Sequence, residues 1–220
     1  MKRIQLVIAV LIALSACRKE ATNDPLILNA ADYFPMEVGN YWIYQAEYIN
    51  VDADVAVYDT LRFEMKMLHE SFDDSLIQHR FERFQRTDSL SDWQSYDLVL
   101  ISWDARTMQW YENNQRFVKM TRPVYDSKSW DGNIYNTLEK WNYYYTDLQR
   151  TFKMDESLYQ NTIRIEKSNT VNVIQEKRSF EIMAYGIGPV YDYQSDFEIQ
   201  AGSINFGFSK ELKLLKFGQE

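Results

Sequence analysis

The sequence predicts an all-β chain, mainly antiparallel and with little helix, in which a meander of hairpins forms a sandwich or a partly open barrel. Three observations predict it. Aromatic residues are abundant (Trp 6, Tyr 16, Phe 12) while Gly 7 and Pro 4 are few, and aromatic side chains suit a pleated, half-buried surface. Apolar and polar residues alternate with period two along several runs. Clusters of turn-forming residues separate those runs at strand-and-turn spacing.

The strand-like pattern begins at Tyr33. Leu61, Phe63, Met65 and Met67 alternate with Arg62, Glu64 and Lys66. Ile163 and Ile165 alternate with Arg164 and Glu166, and Phe180, Ile182 and Ala184 alternate with Ser179, Glu181 and Met183. Phe197 and Ile199 follow, then Ile204, Phe206 and Phe208, then Leu212 and Leu214. Turns are expected at Asp73-Asp74-Ser75, Thr87-Asp88-Ser89, Glu112-Asn113-Asn114, Asp131-Gly132-Asn133, Lys167-Ser168-Asn169 and Gly202-Ser203. No segment carries an i, i+3, i+4 apolar stripe of a dozen residues. The spacing predicts about ten or more strands. A sheet with one wet face also accounts for a mean hydropathy of −0.48 in a folding sequence. No Gly/Ser-rich or Pro-rich linker interrupts residues 30–220, which read as a single antiparallel β domain.

Charge and cysteine count exclude several function classes. A net charge of −8 opposes general nucleic-acid binding, which requires an excess of Lys and Arg. One cysteine permits neither an internal disulfide framework nor a cysteine-rich zinc site.

That cysteine lies behind a short leader. Lys2 and Arg3 precede an apolar run, Ile4 to Leu14, broken only by Gln5. The run has the length of a secretory h-region and is too short to cross a bilayer. Cleavage before Cys17 would place Ala16 at −1 and Leu14 at −3, and Leu is wrong for an ordinary signal-peptide site. Leu14-Ser15-Ala16-Cys17 instead resembles the lipobox of bacterial lipoproteins. The alternative is a plain secretory signal followed by a free thiol.

The resemblance implies a signal peptide over 1–16, diacylglycerol on the Cys17 sulfur, usually a further acyl chain such as palmitate on the new amine, and a lipidated tether over 17–29. At about 0.8 kcal/mol per buried methylene, two or three acyl chains hold far more firmly than one. Loss of Lys2 and Arg3 takes the balance from −8 to −10. Arg18 stands where, by analogy with enteric bacteria, Asp would mark inner-membrane retention. Outer-membrane anchorage facing the periplasm is therefore expected, and Lys19-Glu20 make at best a weak acidic export tag.

Tyr33-Phe34-Pro35 running into Val38-Gly39-Asn40-Tyr41-Trp42, then Ser129-Trp130-Asp131-Gly132-Asn133, then Tyr185-Gly186-Ile187-Gly188-Pro189-Val190 are similar to landmarks of uncharacterised lipoproteins from Bacteroidetes-type bacteria. Pro189 and Tyr191 replace a more usual aliphatic residue and Lys. The resemblance implies a β-rich lipoprotein domain and transfers no catalytic residues. Two of these landmarks also echo each other. Pro35 and Trp42, and Pro123 and Trp130, are seven residues apart, with Gly39 and Ser127 each four after the proline. A duplicated half and coincidence both explain the echo.

Chemical motifs are sparse. Gly186-Ile187-Gly188 lacks the following helix and third glycine of a phosphate loop and reads as a bulge or tight bend. His69 and His79 lie five residues either side of Asp74, so they face each other across a hairpin, as a cross-strand pair on the wet face or, with Glu70 or Glu82, as a metal site. There is no Gly-x-Ser-x-Gly elbow. The carboxylates Asp52, Asp54, Asp73, Asp74, Asp192, Asp196 and Glu198 read mostly as solvated surface, and no catalytic residue, metal or cofactor is assigned.

Aromatics supply the one hint of a ligand. Trp93, Tyr96, Trp103, Trp110 and Tyr111 form one dense stretch, and Trp130, Tyr135, Trp141 and Tyr143 to Tyr145 another. Three successive tyrosines cannot all point inward, so either Tyr144 or its neighbours show on the other face. Trp103, Trp110 and Tyr144 are the candidate ligand-facing aromatics. The reading is a membrane-anchored, non-catalytic envelope lipoprotein binding an apolar or planar ligand (lipid or glycan) or an envelope partner. The alternatives are a glycan-acting hydrolase with paired carboxylates and a structural subunit of an outer-membrane assembly. No nucleic-acid partner is expected, and no motif names a protein partner.

Overall fold

Strand-forming segments joined by tight turns pair most readily with their sequence neighbours, and the chain follows that route throughout. The computed structural model describes residues 27–53, 57–74 and 78–220. Cys17, the signal peptide and most of the tether lie outside the described residues. Twelve strands form one sheet: β1 (Asn40–Asp52), β2 (Val57–Asp73), β3 (Gln78–Arg86), β4 (Gln94–Trp103), β5 (Thr107–Glu112), β6 (Gln115–Thr121), β7 (Ser129–Asp131), β8 (Asn142–Met154), β9 (Ser157–Val171), β10 (Gln175–Ala184), β11 (Gly188–Gln200) and β12 (Ser203–Gln219). All pairings are antiparallel, and the order β6-β5-β4-β3-β2-β1-β12-β11-β10-β9-β8-β7 curls into a nearly closed barrel.

Closure comes from β12 returning to β1, from Asn40↔Gln219 to Asp52↔Phe206. The remaining gap lies between β6 and β7. There Val118 N donates to Gly132 O (2.9 Å), and Trp130 Nε1 donates to Val118 O (2.9 Å). The Tyr145 hydroxyl accepts from Thr121 N and donates to Thr121 O, both at 2.8 Å. These bonds occupy backbone groups that an open edge would present to other chains.

The end where β1 begins, here the bottom, is filled by the segment ahead of it. Leu28 bridges Val124, and Asn29 Oδ1 caps a 3-10 turn over Ala30–Tyr33. Tyr33 and Phe34 are buried, and Phe34 stacks on Trp42 at 5.6 Å. The strand therefore begins at Asn40 rather than Tyr33. Pro35 cannot donate to a ladder, and Gly39 turns the chain with φ +91°.

The three landmark segments pack against one another or their neighbours. Trp42 Nε1 donates to Ile187 O (2.6 Å) and Tyr44 OH to Pro189 O (2.9 Å). A Cβ at Gly188 would come within 3.0 Å of the Trp42 indole, and one at Gly132 within 2.6 Å of the Tyr143 ring. Gly186-Ile187-Gly188 is the tight bend between β10 and β11. The Pro-to-Trp echo has a counterpart in topology. Gly39 and Ser127 both have positive φ, both indoles donate to backbone carbonyls, and β1 and β7 each open a run of six strands.

One turn expectation needs correction, and two strands show which of their faces is covered. Lys167-Ser168-Asn169 lies within β9, and the chain turns at Asn172, whose Oδ1 accepts from Ile174 N and Gln175 N, both at 2.9 Å. Phe206 and Phe208 share the register face of Leu212 (partners Asp52, Asn50 and Ala46). They stand at the far end of the barrel and are 57% and 38% exposed, as is Ile204 at 42%. On β10 the alternation stands, and it is the set with Glu181 and Met183 that lines the interior, while the shift beside Ile182 and Met183 falls on β11 at Val190.

Candidate functional site

A barrel of this kind encloses whatever its inward positions leave unfilled. Here they leave a cavity of about 230 Å³, running from Phe34 at the bottom to Tyr48, Tyr96, Asn113 and Lys210 at the opposite end, the mouth. Its apolar wall comes from Tyr44, Met65, Met67, Met108, Trp110, Met183 and Leu212. Trp110 meets Phe34 edge-on at 5.9 Å.

Charged side chains line the remainder. Arg83 on β3 ion-pairs with Asp97 on β4 through both nitrogens of one guanidinium edge, Nε to Oδ1 at 2.6 Å, and with Glu112 on β5 at 3.0 Å. Its neighbouring carboxylates raise its pKa against the cost of burial. Lys119 on β6 places its Nζ 3.0 Å from Oε1 of Glu181 on β10, and the buried Lys167 on β9 bonds the same oxygen. The two ammonium groups hold the Glu181 carboxyl well below the usual carboxylate range despite its desolvation. Glu181 in turn raises the Lys119 pKa. A carboxyl held ionised in this way is unsuited to the general-acid role that a glycosidase pair requires. Among the described residues, no group of three or more His, Cys, Asp or Glu is placed to hold a metal.

Period two carries most of these charges inward. Arg83 shares a face with Phe81, Asp97 with Val99 and Ile101, and Glu112 with Met108 and Trp110, so this signal was present in the sequence. Lys119 had no such signal. It lies between buried Val118 and Met120, where a register shift in the β5–β6 pair breaks the alternation and re-aims the side chain.

The three candidate aromatics part company. Trp110 lines the cavity, and Lys119 Nζ lies 5.4 Å from its ring centroid. Trp103 packs against the core beside Met108, its cross-strand partner, with the Arg122 guanidinium 4.1 Å over its ring. Tyr144 is 37% exposed on the outer face, while Tyr143 and Tyr145 point inward.

No family model matches the chain, and no curated protein matches it. Two solved structures are similar to it. One is a protein of Bacteroides fragilis described as exported and having a YmcC-like fold, at 10% identity and TM-score 0.44, over 84% of this chain and 98% of that one. The other, described as a lipoprotein of Parabacteroides distasonis, has 8% identity and TM-score 0.36 over the same shares.

The histidines do face each other, but in the interior. His69 is fully buried. Its Nδ1 donates to the Glu37 carbonyl (2.9 Å), which leaves Nε2 to accept from His79 Nδ1 (3.0 Å). The pair thereby ties the bottom segment to β2. Burial lowers both pKa values, and His69 helps bring His79 down to about 4. The unfolded chain thus takes up a proton that the folded chain refuses. Stability is fully present above the ordinary histidine value of 6.5 and is lost as pH falls toward about 4. With solvent access to the His79 ring discounted, the loss should be about 1–2 kcal/mol. Urea unfolding of the native sequence and His79→Phe at pH 7 and pH 5 measures it: the native chain should lose that much more. Equal losses would place the histidine pair in water.

Proposed function

We propose that this protein is an envelope lipoprotein, held to the outer membrane by acyl chains on Cys17, whose barrel is a non-catalytic container for one small amphipathic ligand. The cavity carries this reading. It is concave, and its lining is divided about evenly between apolar and polar surface, with convergent polar groups of the kind that orient a ligand. Its volume of about 230 Å³ lies below the ~300–1,000 Å³ of drug-sized sites, which suits a small molecule rather than a polymer. Trp110 serves as the aromatic platform, and the engaged state of Glu181, Asp97 and Glu112 favours binding over hydrolysis. The described chain starts at Ile27 at the barrel bottom, so the tether meets the filled end and the mouth opens at the other.

Cys17→Ser tests both halves. The variant should leave the membrane fraction and, once purified, bind the uncharged probe 2-phenylethanol at one site per chain by calorimetry. Met65→Trp, which fills the cavity, should abolish binding in a protein that still folds. Membrane retention of Cys17→Ser overturns the anchor, and unchanged binding in Met65→Trp overturns the container.

A further inference from the structure

The container's charges select among ligands. Arg83 is shared by two carboxylates, Asp97 and Glu112, so that cluster has a residual charge of −1. Lys119 and Lys167 share one carboxylate, Glu181, so the second cluster taken by itself has a residual charge of +1. Asp192 and Lys210 add one lining charge of each sign. With Lys167 counted behind Glu181, the charges number four of each sign, so they balance overall and are unevenly placed locally. The clusters lie close together: Glu112 and Asp192 both act on Lys119, so the uncompensated positive charge is spread over Lys119, Lys167 and Lys210.

A net charge brought into such a space has no counter-ion, and an unpaired charge away from water is costly. A ligand carrying both signs meets each cluster with its opposite: an ammonium beside Glu112, a carboxylate beside Lys119. The rest of the space is adaptable. Of the eight methionines in the chain, four (Met65, Met67, Met108 and Met183) line it beside Trp110 and Phe34. Flexible thioethers accept apolar bodies of varied shape. Recognition is thus strict for the head and tolerant for the body.

We infer that the cavity binds a small, net-neutral zwitterion with an apolar body, the chemistry of a free hydrophobic α-amino acid. The inference rests on the container reading above and adds the ligand class.

The test uses purified Cys17→Ser protein and four probes with one phenyl body, titrated by calorimetry at a pH where α-amines are protonated. Phenylalanine is the zwitterion, phenylalanine amide the cation, N-acetylphenylalanine the anion and 2-phenylethanol the uncharged control. Phenylalanine should bind at least tenfold more tightly than the cation or the anion, a difference of about 1.4 kcal/mol. Lys119→Met should move the preference toward the amide. Glu112→Gln, which keeps an acceptor for Arg83, should move it toward the N-acetyl compound.

If the alcohol binds and phenylalanine has no advantage over the charged probes, the zwitterion inference is overturned and the container stands. An unchanged order of affinities in both variants overturns it equally. If neither the alcohol nor phenylalanine binds, the container fails, and the ligand class fails with it.

Discussion

Trp42→Ala should lower the unfolding free energy by about 3–5 kcal/mol, the usual range for truncating a buried aromatic side chain. Trp42 is fully buried. Its ring stacks on Phe34 at 5.6 Å and lies 5.3 Å from Phe217 and 6.2 Å from Phe81. It therefore joins the bottom segment, β1, β3 and β12, and its indole N–H ties β1 to the β10–β11 bend at Ile187. The cavity left by alanine opens where the barrel closes on itself, so little can collapse into it. Trp42→Phe keeps an aromatic body and loses the hydrogen bond, which is worth about 1 kcal/mol. Chemical denaturation of both variants gives the comparison. A loss below about 1 kcal/mol for Trp42→Ala would mean that the indole is not part of the core.

Glu181→Gln should cost about 3–5 kcal/mol, as removing one partner of a buried ion pair does. It leaves Lys119 and Lys167 facing each other across a neutral amide, with Lys167 only 6% exposed at its side chain. Replacing all three charges by apolar residues (Lys119→Met, Glu181→Leu, Lys167→Met) should cost far less, because no uncompensated charge remains. The native cluster also contributes to the acid profile. The depressed Glu181 pKa gives stability that is fully present above its ordinary value of 4.5 and is lost as pH falls below it. Equal losses in the single and triple variants would show that packing, and not charge, sets the cost.

Much of the architecture was legible because period two and turn chemistry are local. The Leu61–Met67 alternation places Met65 and Met67 inside, and Ile163 and Ile165 are likewise fully buried. Asn113 and Asn114 make the β5–β6 turn with positive φ. The inward charges were partly legible, since Arg83, Asp97 and Glu112 keep step with apolar neighbours. The shift beside Gln109 turns Lys119 inward, since one residue of slip exchanges the two faces of a strand. On β10 the alternation holds and carries Glu181 inward with Met183, and apolar residues on both faces of that strand hid which face is inner.

The sequence by itself determined the β class and the meander, because alternation and turn residues are read within a few neighbouring positions. Only the tertiary structure decided that the meander closes, that Phe34 plugs one end and that Trp110 lines the cavity while Tyr144 stays outside. It also decided that two ion-pair clusters, Arg83 with Asp97 and Glu112 and Glu181 with Lys119 and Lys167, meet at one cavity. These outcomes depend on which residues meet across strands far apart in the chain. Register and closure set those meetings, and no local pattern encodes them.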